Sequence, residues 1–410
     1  MTTREECQDL DARDPLAALR GEFVLTPGEI YLDGNSLGPV SHGVQRRVNE
    51  VIDREWAQGL VRSWNAAKWM EAPLSLGDRL APLIGARAGE VLVADTLTFL
   101  LAKIIGGSLE LRPERHVIIT DAVNFHSDLY IVAAMARLVG RDIVVKTIDR
   151  DTLGEHLDED VALVMLTHVD FRTGEMLEMS RITRAVHEVG ALMLWDFAHS
   201  TGAVPLDVTS ADVDFAAGCG YKYLNGGPGA PAFMYVAPRW QGVLRNPLPG
   251  WLGHARPFDF ESTYESAPGM RAYVTSSPSV IALGALGGAL EVFERTTMDA
   301  IRTKSLALTD LFIELVEEAL PGVFELATPR AHDKRGSQVA LRHPNGYGII
   351  QALIERGVTG DFRAPDICRF GFAPLYLRYV DVYDAVQILA DVMLSSAHLD
   401  AKYAVRLAVT

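Results

Sequence analysis

Five short apolar runs, separated by stretches with helical periodicity, constrain the fold of this chain more than any other feature. They are residues 91–94, 117–120, 143–146, 162–167 and 191–196. Continuous apolar runs of this length are typical of strands buried on both faces, and the helical stretches between them predict βαβ units. The sequence therefore predicts an α/β fold, a mostly parallel central sheet with helices on both faces. A later run, residues 231–236, predicts a further strand that could be antiparallel.

The length of the chain predicts more than one domain. With 410 residues, the chain exceeds what one ordinary hydrophobic core holds. After a helical stretch over residues 279–319, the chain alternates short strands and helices to its end, which predicts a smaller α+β unit. We expect an N-terminal segment (1–65) that contributes to the small domain and to the site, a large domain (66–295) and a small C-terminal domain (296–410).

Charge and cysteine content exclude several classes of function. The formal net charge is −15, and both nucleic acid and anionic membrane require a basic face, so neither is an expected partner. Cys7, Cys219 and Cys368 form no CxxC pair, so neither a disulfide framework nor a metal site is predicted. No apolar stretch reaches about 20 residues, and the charged N-terminus lacks a signal core. The cytoplasm is the expected location.

A lysine in a glycine-rich, aromatic segment carries the most specific chemical signal. Lys222 lies in the run Gly-Cys-Gly-Tyr-Lys-Tyr-Leu-Asn-Gly-Gly-Pro-Gly. Upstream, the last of the five apolar runs ends at Asp196, and His199 follows three residues later. A lysine amine can form a Schiff base with an aldehyde cofactor, and a strand-end carboxylate can pair with a protonated pyridine nitrogen. The combination predicts a pyridoxal 5'-phosphate (PLP) site, in which Tyr221 would hydrogen-bond the phosphate and relay a proton.

Other candidates follow the ends of the predicted strands, where open parallel sheets bind ligands. Thr96, Leu97 and Thr98 open a helix whose exposed N–H groups suit a phosphate, although a threonine here also serves as an ordinary N-cap. Phe125 could stack on the pyridine ring or belong to the core. Asp128 could bond ring substituents.

Two further polar residues have a functional and a structural interpretation. The hydroxyl of Thr167, at a predicted strand end, could reach the cofactor or bond only to backbone. The guanidinium of Arg369, in the C-terminal unit, could clamp the α-carboxylate of an amino acid through two parallel bonds, or it could be structural.

Six stretches of the sequence together resemble kynureninase of the bacterial type. They occur in order from the first strand to the C-terminal unit and are residues 31–38, 124–130, 195–200, 221–229, 250–254 and 369–372. Tyr-Lys-Tyr-Leu-Asn-Gly-Gly-Pro-Gly and Gly-Trp-Leu-Gly-His are the most specific of them. The resemblance implies the PLP-dependent transferase-like fold (aspartate aminotransferase fold type I), with residues 66–295 as the PLP-binding domain. It also implies a homodimer with active sites at the subunit interface.

The resemblance implies a role for each site residue by its position. Lys222 would be the Schiff-base lysine, Asp196 the partner of the ring nitrogen, and Phe125 the residue stacked on the ring. The other cofactor contacts implied are Leu97, Thr98, Asp128, Thr167, His199 and Tyr221, with Trp251 and Ser277 reaching the phosphate from the neighbouring subunit. Lys222, Tyr221 and Asp196 would be catalytic. The implied substrate-binding residues are Arg369, Trp64, Asn35 and Ser36.

The reaction implied is hydrolysis of L-kynurenine to anthranilate and L-alanine, a step of tryptophan catabolism and of the kynurenine pathway toward NAD biosynthesis. Bacterial-type members carry tryptophan where this chain has Trp64, which implies a preference for kynurenine over 3-hydroxykynurenine. Two positions depart from the pattern: Ser277 stands where threonine is expected, and His126 where proline is usual.

Rival interpretations come from the same superfamily and from outside catalysis. A cysteine desulfurase needs a mobile nucleophilic cysteine ahead of its carboxylate-binding arginine, but Cys368 directly precedes Arg369. A small-amino-acid aminotransferase would share the Lys222–Asp196 pattern. A non-catalytic protein that kept the fold would be expected to lose Lys222 or Asp196, and both are present.

Overall fold

The computed structural model describes residues 2–406. The strands are β1 (Ile30–Tyr31), β2 (Val91–Ala94), β3 (Val117–Asp121), β4 (Val144–Ile148), β5 (Val161–Thr167), β6 (Leu192–Asp196), β7 (Phe215–Cys219), β8 (Ala232–Val236), β9 (Glu325–Leu326), β10 (Gln338–Arg342), β11 (Val358–Thr359), β12 (Asp361–Arg363) and β13 (Ile367–Gly371). The helices are α1 (Arg4–Arg13), α2 (His42–Glu50), α3 (Ser63–Ala66), α4 (Ala72–Leu80), α5 (Leu97–Leu111), α6 (His126–Leu138), α7 (Leu153–His156), α8 (Met179–Glu188), α9 (Val280–Phe293), α10 (Met298–Ala319), α11 (Gly346–Ile354) and α12 (Tyr379–Leu394).

A seven-stranded sheet in the order β2–β8–β7–β6–β5–β3–β4 forms the centre of the large unit. Only β8 runs antiparallel to its neighbours, and the other pairs are parallel. The predicted mostly parallel α/β sheet is therefore confirmed. The strand predicted at 231–236 forms β8 and is antiparallel.

Alternate residues of the central strands enter two separate cores, one on each face of the sheet. Val164 and Trp195 belong to the core that also contains residues of α4, α8 and α9. Leu163 and Leu194 belong to the core that contains residues of α5 and α6. Because both faces are covered, β5 and β6 are buried throughout, which explains their continuous apolar sequence.

A second, antiparallel sheet in the order β12–β13–β10–β9 lies in the C-terminal unit. Helix α10 packs against α12 beside it, and the rings of Phe312, Phe370 and Phe372 meet in the core between them. β1, from the N-terminal segment, pairs in parallel with β11. The N-terminal segment is therefore joined to the C-terminal unit by backbone hydrogen bonds. The domain boundaries 1–65, 66–295 and 296–410 stay a prediction.

The helix that begins at His42 changes its geometry along its length. It is α-helical to Glu50, and Val51–Gly59 continue with wider π-type turns. There the hydroxyl of Ser63 donates to the carbonyl of Glu55 at 2.6 Å, so this carbonyl is bonded outside the helix. Helix α5 begins at Leu97, with Thr96 at the N-cap position. Within residues 2–406, no helix combines the length and apolar character needed to cross a bilayer.

Candidate active site

The candidate site lies at the carboxyl ends of three neighbouring parallel strands. Thr167 ends β5 and Asp196 ends β6, and the register of the two strands places these residues side by side. β7 ends at Cys219, and the loop that follows carries Lys222. Because parallel strands end at the same edge, the sheet brings the predicted residues together.

Lys222 contacts two of the predicted residues. Its Nζ lies 2.9 Å from Nε2 of His199 and 5.9 Å from the ring centroid of Phe125. Burial, and then the positive charge of Lys222, hold the pKa of His199 well below its usual value. The imidazole is therefore neutral, and Nε2 accepts a hydrogen bond from the amine. The loop that carries Lys222 is also held by the N-terminal segment, because the N–H of Gly38 donates to the carbonyl of Tyr221 at 2.8 Å.

The carboxylate of Asp196 is buried and partly satisfied. Oδ1 accepts from the N–H of Ala198 at 2.8 Å, and Oδ2 lies 3.5 Å from Oγ1 of Thr167. The same hydroxyl lies 2.5 Å from Oδ1 of Asn124, so its single hydrogen is directed there. Asn124 was not among the predicted site residues, although it immediately precedes Phe125.

A second buried carboxylate, Asp128 on α6, interacts with Asp196. Burial raises the pKa of both carboxyl groups, and the negative charge of Asp196 raises the pKa of Asp128 further. Both oxygens of Asp128 and Nδ1 of His199 are buried without a hydrogen-bond partner among residues 2–406. Unpartnered buried polar groups call for a ligand. The set fits PLP, which presents a cationic ring nitrogen and polar ring substituents.

The start of α5 has free backbone donors. Thr96 occupies the N-cap position, but its side chain makes no capping hydrogen bond, so the simple capping interpretation is not supported. Thr98 is exposed and Leu97 is half-buried. The unpaired N–H groups and the helix dipole at this end suit the phosphate of PLP, and the contacts of Leu97 and Thr98 with it stay a prediction.

Arg369, the predicted carboxylate clamp, is buried and already bonded. Nε donates to Oδ1 of Asp361 at 2.7 Å, and Nη2 donates to the other oxygen of that carboxylate and to Oγ of Ser36 at 2.8 Å. Nη1 donates to the carbonyl of Phe171, whose ring packs edge-on against Phe125 with centroids 5.1 Å apart. The Nε edge of the guanidinium is therefore occupied, and a substrate carboxylate would meet the Nη1 side.

Asn35, predicted together with Ser36 to bind substrate, is fully buried. Its Nδ2 lies 3.4 Å from Oε1 of Gln338, and its Oδ1 has no partner within the described part of the chain. Nε2 of Gln338 in turn donates to the carbonyl of Phe171 at 3.1 Å. The carbonyl of Phe171 also accepts from Arg369, so these contacts join the N-terminal segment to the arginine cluster, by which we mean Arg369 with Asp361 and Ser36.

Trp64 and Trp251, predicted for substrate and for phosphate, lie in one aromatic cluster. Their ring centroids are 5.9 Å apart, and Trp69 and Phe258 extend the cluster at the same spacing. Ser277 lies exposed in the segment between Tyr273 and α9. Within one chain, therefore, the residues predicted to act from the neighbouring subunit are at the surface or beside Trp64.

The geometry adds site residues that the sequence analysis did not select, namely Asn124, Phe171, Gln338, Asp361 and Arg363. Asp361 faces Arg369 as its cross-strand partner between β12 and β13. Predicting the β12–β13 pairing would have identified this contact, but β12 is only three residues long and was not recognised as a strand. Asn124 and Phe171 carry only the weak signal of following a strand end.

Solved structures with the same fold were found by comparison. One is a complex of the cystine C–S lyase C-DES with cysteine persulfide (TM-score 0.78, 18% identity, 89% of this chain and 98% of that chain). Another is a C-DES variant with glycine covalently linked to its PLP cofactor (TM-score 0.78, 18% identity, 95% and 100%). A cysteine desulfurase from Thermococcus onnurineus is also similar (TM-score 0.77, 18% identity, 92% and 98%). At this identity the likeness shows the fold alone.

Sequence comparison gives a narrower result. Proteins named kynureninase from Burkholderia pseudomallei (strain 1106a) and from Pseudomonas fluorescens are each 48% identical to this chain over 416 residues, covering both sequences completely. A profile of the kynureninase C-terminal domain matches residues 301–389.

The fold is that of the fold-type-I PLP enzymes, and the lysine beside two buried acids, Asp128 and Asp196, fits that class. With relatives this similar over its whole length, the chain belongs to the kynureninase family. The resemblance seen in the sequence motifs is confirmed.

Proposed function

We propose that this chain hydrolyses L-kynurenine to anthranilate and L-alanine. The bond between Cβ and the aryl ketone carbon breaks. Water supplies a hydroxyl group to the ketone carbon, which gives anthranilate, and a hydrogen to Cβ, which gives alanine. The observation that carries the proposal is the position of Lys222, with its amine 2.9 Å from a neutral His199 and next to two buried carboxylates. Family membership supplies the substrate.

When bound, PLP supplies an aldehyde that condenses with amines and an electron-poor ring that accepts negative charge from the reacting carbons. Asp196 would hold the ring nitrogen protonated, because a buried carboxylate needs a cationic partner. His199 accepts a hydrogen bond from Lys222 and so holds its Nζ in place. Freed by the substrate amine, Lys222 would remove the Cα proton as a general base.

Tyr221 is the proposed proton donor at the substrate ketone. Burial raises the pKa of its hydroxyl, and the neighbouring Cys219 and then Asp196 raise that pKa further, so the hydroxyl keeps its proton at neutral pH. Its ring lies 5.7 Å from Nζ of Lys222. A protonated hydroxyl beside the lysine can give a proton to the ketone as it is hydrated and take it back afterwards.

Substrate binding would involve both ends of the amino acid. Arg369, with Ser36 and Asn35, would receive the α-carboxylate, and Trp64 offers an aromatic face for the aminophenyl ring.

Because the chain carries Trp64, as bacterial-type members do, we expect kynurenine to be preferred to 3-hydroxykynurenine. Measuring kcat/KM for both substrates tests this expectation, and an equal or reversed ratio would contradict it.

A homodimer is proposed on the basis of exposed apolar side chains. Trp56 is 56% exposed and Val61 77% exposed after α2, and Phe260 is 85% exposed near Trp251. Exposed apolar groups in such number mark an interface. In the dimer, Trp251 and Ser277 would reach the phosphate of the neighbouring subunit.

A cytoplasmic location is also proposed. The free cysteines Cys7, Cys219 and Cys368 are consistent with a reducing compartment.

The desulfurase alternative is disfavoured by the cysteines. All three are buried. Cys368 lies within β13, and its Sγ lies 3.4 Å from the carbonyl oxygen of Gly346, while burial raises the pKa of its thiol. Burial likewise raises the pKa of Cys219. A mobile thiolate nucleophile is therefore absent from the described residues. Sulfide release from cysteine would be the contrary result.

The central experiment follows anthranilate fluorescence after mixing the PLP-loaded protein with L-kynurenine. The wild type should release anthranilate, and Lys222→Ala should lower kcat at least ~1,000-fold because no other lysine amine is offered at this position. Lys146→Ala, on the edge strand β4, is the control and should keep the wild-type rate. A PLP-loaded wild type that releases no anthranilate, or substantial turnover by Lys222→Ala, would refute the proposal.

A further inference from the structure

The guanidinium of Arg369 is held on one edge by a single carboxylate. The carboxylate of Asp361 accepts hydrogen bonds from both Nε and Nη2 of Arg369. The side chain of Asp361 is 2% exposed and that of Arg369 is 1% exposed. Nη2 also donates to Ser36, and Nη1 to the carbonyl of Phe171. This leaves one Nη1 hydrogen without a partner among residues 2–406, on the side away from Asp361.

Asp361 also binds a second arginine. Nη2 of Arg363 lies 2.5 Å from Oδ2 of Asp361, and the Arg363 side chain is 35% exposed. Although burial alone would raise the pKa of Asp361, the charge of Arg369 and then that of Arg363 lower it, so the carboxylate stays ionised. The strands fix the arrangement, because Asp361 and Arg369 are cross-strand partners and Arg363 follows two residues later on the same face of β12.

We propose that Asp361 is a positioning residue for substrate binding: it fixes Arg369 by its Nε edge so that the Nη1 side faces the α-carboxylate of the substrate. The inference rests on the proposed function and on the proposed role of Arg369. Without Asp361, two guanidiniums would repel each other and Arg369 could rotate about its last side-chain bonds. The substrate carboxylate would then meet an arginine that is no longer held in one orientation.

The test is Asp361→Asn in the PLP-loaded enzyme. The amide keeps the size of the side chain but turns donors toward two arginines. KM for kynurenine should rise at least ~10-fold, while kcat changes less than ~3-fold, because the reacting groups around Lys222 are untouched. Binding of the decarboxylated amine of kynurenine, followed by the absorbance of the cofactor, should not change. Equal weakening of both ligands, or an unchanged KM, would overturn the proposal.

A double-mutant cycle separates positioning from general damage. If Asp361 acts through Arg369, then Asp361→Asn should raise KM in the wild type but by less than ~2-fold in an Arg369→Gln background. Additive effects would overturn the proposal. The control is Asp381→Asn, because Asp381 is also buried and also binds two arginines, Arg20 at 2.9 Å and Arg378 at 2.6 Å. This variant should lose stability and keep its KM.

Asp361→Glu provides a second variant should the amide impair folding. It keeps the charge but moves the carboxylate by one methylene group, so the guanidinium must shift and KM for kynurenine should rise at least ~3-fold, again without effect on the decarboxylated amine. A wild-type KM in this variant would count against positioning. Release of anthranilate by the wild type tests the proposed function separately, so the two failures are distinguishable.

Discussion

At the scale of single residues, the site is built around charges that the apolar interior would not tolerate alone. Asp128 and Asp196 lie together with no cationic residue bonded to either in the described chain, and only the amine of Lys222 lies near enough to offset them. Such a pair is costly to bury. A bound cofactor with a protonated ring nitrogen would stabilise the pair, so we expect cofactor binding and the protonation of the pair to be linked.

This linkage predicts a pH dependence of the cofactor-free protein. The folded state raises the pKa of Asp128 above its value in the unfolded chain, so its contribution to stability is fully present at acid pH and is lost as pH rises through the folded pKa. The urea midpoint should fall as the pH rises above the ordinary carboxyl pKa of about 4, and Asp128→Asn should make that fall smaller. Asp53→Asn, at an exposed position, is the control. An unchanged slope in Asp128→Asn would contradict the expectation.

Replacing Arg369 should weaken the binding of kynurenine. Arg369→Ala removes the proposed carboxylate partner and leaves Asp361 buried with Arg363 as a charged partner and the hydroxyl of Ser36 as a further donor. We expect kynurenine binding to weaken by about 2–5 kcal/mol, read as a rise in KM, because a desolvated charge pair is broken. Isothermal titration of an unreactive amino acid ligand would give the affinity directly. A KM within ~3-fold of the wild type would show that the carboxylate binds elsewhere.

At the scale of elements, the sequence predicts the central strands well because their burial leaves a continuous apolar signal. The apolar run 143–146 was wrongly expected to be buried on both faces: it forms the edge strand β4, in which only Ile148 is buried. Thr167 and Asp196 were placed correctly at strand ends, and Lys222 and His199 were recognised from a local motif. Asp361 was missed because its partner lies eight residues away across a short hairpin. The occupied edge of Arg369 could not be predicted either, since it depends on that pairing and on Ser36, 333 residues away.

The N-terminus of α5 allows a test in which two effects have opposite signs. Thr98→Glu places a negative charge in the first helical turn, which should stabilise the cofactor-free protein by about 0.3–1 kcal/mol through the helix dipole. The same charge should repel the phosphate and weaken PLP binding at least ~10-fold, measured by absorbance titration. Thr98→Gln, similar in size but neutral, should show neither effect. Unchanged PLP affinity in Thr98→Glu would place the phosphate elsewhere.

At the scale of the whole molecule, one chain holds most of the proposed site but not all of it. The lysine, the acid pair and the arginine cluster come together within the chain, whereas Ser277 is exposed and Trp251 packs beside Trp64. Trp251 and Phe258, whose rings pack together in this region, are both exposed apolar residues. An enzyme of this form would be completed by its partner, so activity should depend on the dimer.

Subunit mixing tests this dependence. Lys222→Ala and Trp251→Ala should each be inactive or weak alone, and mixing under conditions that exchange subunits should restore activity. In a mixed dimer, one site receives Lys222 from one chain and Trp251 from the other, while the second site has both defects. Complete exchange of equal amounts should therefore give about a quarter of the wild-type activity, since half of the dimers are mixed and each has one intact site. If both residues served the same chain's site, every site would carry one defect and mixing would restore nothing.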